Sequence, residues 1–113
     1  MQLITDQMIF GGMRARVSWM NEADDAVLEY LQELETDTGH RIALPPTAIW
    51  YNLVVELGVL DRSQNTISRR MNVLADGGLL EKTDEKRGYY RVTDRGIAYL
   101  EGELEASDLE QDD

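Results

Sequence analysis

The chain has 113 residues, 22 acidic against 11 basic, for a net charge of −11 with 42% hydrophobic residues. This is one domain's length, too apolar for an acidic disordered segment and long enough to bury a modest core of its own. The absence of cysteine excludes disulfides, thiolate metal sites, cysteine nucleophiles and thiol redox sensing, and apolar runs of no more than four residues exclude a membrane-spanning helix.

Residues 1–17 have no clear periodicity, contain Gly11-Gly12, and read as a flexible or partner-dependent N-terminal arm, or, in the first dozen residues, as an upstream start, since Met13 and Met20 are internal methionines. They lack the basic start and long apolar stretch of a secretion signal, so the chain reads as cytoplasmic. Asn21 with Asp24 three residues on forms a capping-box pattern, and Val27, Tyr30, Leu31 and Leu34 follow at helical spacing, which predicts a first helix from about Glu22 to Glu35. Arg41 to Leu44 is a candidate short extended piece. Pro45-Pro46 pre-sets the first turn of a second helix with Ile49, Leu53 and Leu57 on one face, Trp50 and Val54 beside them, and Gly58 at its end. Trp50 and Tyr51 read as core or interface aromatics.

Ser63 is a candidate N-cap for a third helix over residues 64–76 that ends at Gly77-Gly78. At about 100° per residue, Ile67, Met71 and Leu74 share one face and must be core, while Asn65, Arg69 and Asn72, flanked by Ser68, lie opposite without an acid among them. Leu79 to Thr83 and Gly88 to Val92 read as a hairpin joined by Asp84-Glu85-Lys86-Arg87. Thr93 caps a last helix with Ile97, Leu100 and Leu104 inward, and residues 105–113 form an acidic tail. The expected class is mainly α with a small β-hairpin (α+β), in the order α-(β)-α-α-β-β-α, with one domain over 18–104.

The charges divide unevenly along this order. Residues 62–95 hold eight bases and five acids, +3, while the other 79 residues carry three bases and 17 acids, −14. Nine arginines to two lysines, under so much carboxylate, resembles the surface of proteins from salt-in halophiles. An ordinary acidic protein, or a surface that complements a basic partner, are the alternatives.

Two helices joined by a short turn and followed by a basic-tipped hairpin form a winged helix-turn-helix. A helix in the major groove needs donors and acceptors on its exposed face. Asn65 and Asn72 suit adenine and Arg69 suits guanine O6 and N7, with Ser68 beside them as a fourth base-reading candidate. Arg62, Gln64 and Arg70 on the flanks, with Lys86 and Arg87 on a mobile wing tip at 84–88, suit phosphate or a neighbouring groove. The lone His40 is far too little for a metal site, and neither a cofactor nor a catalytic acid-base pair is indicated.

Ser63-Gln64-Asn65-Thr66-Ile67-Ser68-Arg69-Arg70-Met71-Asn72-Val73-Leu74, followed by Gly77-Gly78-Leu79-Leu80-Glu81, resembles the recognition helix and exit of MarR-like winged-helix transcription factors. Gly88 to Leu100 with Gly102-Glu103-Leu104 is similar to the wing and last helix of small haloarchaeal regulators related to the phage phiH repressor, and Trp19-Met20 ahead of Ala23-Asp24-Asp25 is similar to their start. The resemblance covers about Val17 to Leu104. It implies a homodimeric regulator of double-stranded DNA, often a repressor, with the third helix in the major groove and Ser68, Arg69 and Arg70 on the family's Ser-Arg-Arg stretch. Val73 departs from it as an apolar residue on a flank expected to be polar, and the Gly11-containing leader has no counterpart. A winged helix used only as a protein-interaction module is the alternative reading, and a small-molecule effector is left open.

Overall fold

Asn21 starts the first helix, α1 (Glu22–Glu33), by accepting from the Ala23 and Asp24 N–H groups while its own N–H donates to Asp24 Oδ2 at 2.9 Å, the reciprocal capping box that its sequence predicts. The computed structural model describes residues 20–104; the expected arm at 1–17 and tail at 105–113 lie outside them. The helix ends two residues before the expected Glu35. Its Val27, Leu28 and Leu31 are fully buried, with Tyr30 and Leu34 packed against the core edge.

The second helix, α2, is α-helical over Pro46–Trp50 and π-helical over Tyr51–Glu56. The end of this helix, where Leu57 is the C-cap, corrects one expectation. Ile49 and Leu53 are buried as their spacing predicts, but Leu57 is 58% exposed. Its N–H donates to Asn52 O, and Leu60, whose N–H reaches back to Leu53 O, is buried instead.

Trp50 Nε1 donates to Arg62 O at 3.0 Å, fastening the turn that leads into the third helix, α3 (Gln64–Asp76). The aromatic ring thus serves packing, as expected. Ser63 caps α3 through the Thr66 N–H, and Ile67, Met71 and Leu74 are fully buried on the predicted face. Gly78, at φ +82°, closes the helix in the left-handed conformation that favours glycine. Val73 is half-buried on the flank.

The wing consists of β1 (Leu80–Asp84) and β2 (Tyr89–Val92), paired antiparallel with Leu80 opposite Val92 and Lys82 opposite Tyr90. Thr83 is bulged, since Asp84 is next to pair, with Tyr89. The extended piece expected at Arg41–Leu44 contributes one residue: Leu44 exchanges both backbone hydrogen bonds with Tyr90, at 2.9 and 3.0 Å. Thr93 caps the last helix, α4 (Asp94–Leu100), and its hydroxyl donates to Gly78 O at 2.6 Å. Leu100 is buried, and Ile97 and Leu104 pack against the core. Tyr99, on which the spacing placed no weight, is also buried, with its hydroxyl donating to Asp25 at 2.5 Å. The result is the winged helix-turn-helix order, with one core gathered between α1, α3, the wing and α4.

Candidate nucleic-acid interface

The start of α2, the start of α3 and the wing meet around an open groove of about 740 Å³, lined by Pro45, Pro46, Thr47, Ser63, Gln64, Asn65, Ser68, Lys82, Arg87, Gly88 and Tyr90. No carboxylate lines it, in a chain that carries twice as many acids as bases. The first turn of α3 lines this side, and the positive end of its helix dipole favours an anion.

Four expected residues come together here: Gln64, Asn65 and Ser68 from α3 and Arg87 from the wing. Arg69 is exposed one turn beyond Asn65, held loosely by a 3.4 Å contact from its guanidinium to Thr66 Oγ1. Asn72 is also exposed on α3, but its Oδ1 accepts the Tyr90 hydroxyl at 2.6 Å. Arg62 lies outside the groove, its NH1 donating to Asp61 O. Lys86 stands at the exposed wing tip, with no ion pair to a carboxylate of the described residues.

Arg70 is placed differently from the flanking phosphate contact expected of it. Its Nε and NH2 grip the two oxygens of the fully buried Asp24 at 2.9 and 2.7 Å. The hydrogen bonds it donates to Asp24 raise the guanidinium pKa above its ordinary value, and the Coulombic attraction adds to that against the opposing effect of burial. This arginine clamps α3 to the start of α1 and is removed from the set of phosphate candidates.

The wing tip, expected as a mobile loop, forms a hydrogen-bonded turn. Asp84 Oδ1 accepts from the Lys86 and Arg87 N–H groups at 3.0 and 3.1 Å, and Gly88, at φ +68°, returns its N–H to Asp84 O. Arg87 NH1 also reaches Asp84 Oδ2 at 3.2 Å, a pair exposed enough to exchange for a phosphate at little cost.

Lys82 and Thr47 were given no role from sequence. Lys82 lay within the basic window, and only the register opposite Tyr90, with its Nζ 5.6 Å from that ring's centroid, brings it into the groove. Thr47 had no signal beyond its place in the first turn after Pro45-Pro46.

Residues 13–112 match the winged helix-turn-helix phage repressor family. The chain belongs to that family. It is 36% identical over 103 residues, 88% of this chain and 99% of the other, to the repressor protein of Halobacterium phage phiH. Among solved structures, the PhiH1 repressor-like protein from Haloarcula marismortui superposes with a TM-score of 0.64 at 31% identity, over 82% of this chain and 90% of that one. Within this phage repressor fold, the acid-free groove lies between the third helix and the wing.

Proposed function

We propose that the protein is a sequence-specific DNA-binding repressor, with α3 in the major groove and the wing on the backbone or adjacent groove. The observation that carries this reading is the acid-free groove in a chain of net charge −11. Long-range repulsion of phosphate by the body requires a local exception for DNA to bind at all, and the groove is that exception. Asn65, Ser68 and Arg69 read base edges; Gln64, Lys82, Lys86 and Arg87, with Arg62 at the margin, hold backbone. The name of the phage phiH relative supports repression, and a regulatory role makes no demand for a catalytic site. One recognition helix reads too few base pairs for useful discrimination, so the protein acts as a homodimer on two half-sites about one helical turn, ~34 Å, apart.

The acid-rich, lysine-poor composition and the haloarchaeal relatives support a reading in which this binding occurs in concentrated salt. The screening length falls to ~3 Å at 1 M, so hydrogen bonds and fit carry more of the affinity than counterion release does. Selection of bound genomic fragments in molar potassium chloride tests the proposal. Enrichment of one roughly palindromic sequence is expected. Fragments recovered without any common sequence, beside a single protein partner captured stably, would instead favour the interaction-module reading.

A further inference from the structure

A second groove, of about 370 Å³, runs between α1 and the α2–α3 turn and shares no lining residue with the first. One wall is acidic, with Glu22, Asp25, Glu29 and Glu33 of α1; the other is apolar, with Leu53, Leu57, Val59 and Leu60. Leu57 and Val59, on this wall, are 58% and 59% exposed. Leu57, the C-cap of α2, and Val59 lie where the chain leaves the helix, ahead of the buried Leu60.

We infer that the chain's own segment Met8–Val17 covers this groove. The segment has the required chemistry: Met8, Ile9, Phe10, Met13 and Val17 are apolar, Arg14 and Arg16 are basic, and no acid occurs between Asp6 and Glu22. Those two arginines are two of only three bases outside residues 62–95. The opposite end of the chain is excluded by charge, because residues 105–113 hold five acids and no base. A symmetric pairing of two such faces would bring the glutamates of α1 against their copies, which like-charge repulsion opposes.

The connection is also short enough. Met20 is anchored in the core, and Glu22, at the groove's edge, begins α1. The α1 wall from Glu22 to Glu33 is ~17 Å long at 1.5 Å per residue, whereas a dozen extended residues span up to ~40 Å. Gly11-Gly12 permits the chain to reverse within that reach. Tethering keeps the segment at a high effective concentration, and its apolar anchors hold when salt screens the arginines. The family match begins at residue 13, so Met13–Val17 belong to the shared sequence.

The cysteine-free chain makes the test direct. A single cysteine is placed at Val59→Cys in the full-length protein, with Thr38→Cys on the exposed α1–α2 loop as the open-surface reference, and the rate of reaction with a soluble maleimide is measured. V59C is expected to react about tenfold more slowly than T38C, the protection arising from a docked segment that must open first. Arg14→Glu with Arg16→Glu, and separately Ile9→Asp with Phe10→Asp, are expected to raise the V59C rate towards that of T38C and leave T38C unchanged. Equal V59C and T38C rates in the chain with its native segment would overturn the inference. So would protection that survives both sets of substitutions, or protection lost on dilution, which would assign the groove to a second copy.

Discussion

The Tyr90 hydroxyl donates to Asn72 Oδ1 at 2.6 Å, joining the buried centre of the wing to the exposed face of α3. The same Tyr90 exchanges both backbone hydrogen bonds with Leu44 and lies beneath Lys82. Wing and reading helix are thereby held at one relative angle. The contact also orients the Asn72 carboxamide with its oxygen towards the wing and its NH2 group outward.

That orientation separates the two asparagines. Bidentate recognition of adenine uses both the oxygen and the NH2 of the side chain. Asn65 has both available at the groove, whereas Asn72 has its oxygen engaged. Asn65→Ala is expected to reduce discrimination between cognate and mismatched sites by about 1–3 kcal/mol, and Asn72→Ala by clearly less. Tyr90→Phe removes one hydrogen bond and should lower unfolding free energy by about 1 kcal/mol, with affinity for cognate DNA falling alongside. Fluorescence anisotropy on paired oligonucleotides and urea denaturation measure the two effects. Equal losses of discrimination for Asn65→Ala and Asn72→Ala would show that the Tyr90 contact does not decide their roles.

Arg70 and Asp24 lead to a different expectation from the one their positions in sequence suggested. Removing Arg70 leaves a fully buried carboxylate without its cation, so Arg70→Ala should destabilise the fold by about 3–5 kcal/mol. The raised pKa of Arg70 makes the stabilisation full below its unfolded value and lost only as pH rises through the still higher folded value. The difference in urea midpoint between wild type and Arg70→Ala should therefore stay constant from neutral pH into the mildly alkaline range. A midpoint unchanged by Arg70→Ala, with general loss of DNA affinity, would return the residue to phosphate binding.

The limits of legibility follow from these cases. Caps at Asn21, Ser63 and Thr93, the core face Ile67–Met71–Leu74 and the hairpin depend on residues within one or two turns of each other, and all were readable. Leu57 was misplaced because it caps the end of α2, and the turn that brings Leu60 back over Leu53 to fill the core in its place is not announced by helical spacing. The Asp24 partner of Arg70 was not readable because it lies 46 residues away, and α1 and α3 must pack before the ion pair exists. The groove itself was half readable: Gln64, Asn65 and Ser68 are neighbours on one helix, but Lys82 enters only through strand register.

Gly96 packs where no side chain fits. A Cβ there would lie 2.4 Å from Leu79 O and 2.7 Å from Val92 Cγ2, with the first contact to backbone. Gly96→Ala must push α4 away from the base of the wing, and a loss of about 1–3 kcal/mol is expected, larger than a helical Gly→Ala change would otherwise gain. Thermal unfolding measures it; a raised melting temperature would mean that α4 is not seated against Leu79.

A cation on the wing and one on α3 distinguish positioning from reading. Lys82 and Arg87 line it from the wing, whereas Arg69 projects from α3 beyond it. Lys82→Ala should weaken cognate and random DNA by similar factors and reduce the slope of log affinity against log salt by about 1. Arg69→Ala should instead cost about 1–3 kcal/mol of site preference with little change in that slope. Titrations across a range of potassium chloride concentrations separate the two. Because the body of the chain is −14 outside residues 62–95, its repulsion of DNA is strongest in dilute salt. Affinity for cognate DNA should therefore fall less steeply with added salt than the number of groove cations alone implies. A slope as steep as that of a uniformly basic winged helix would mean that the acidic body does not influence binding.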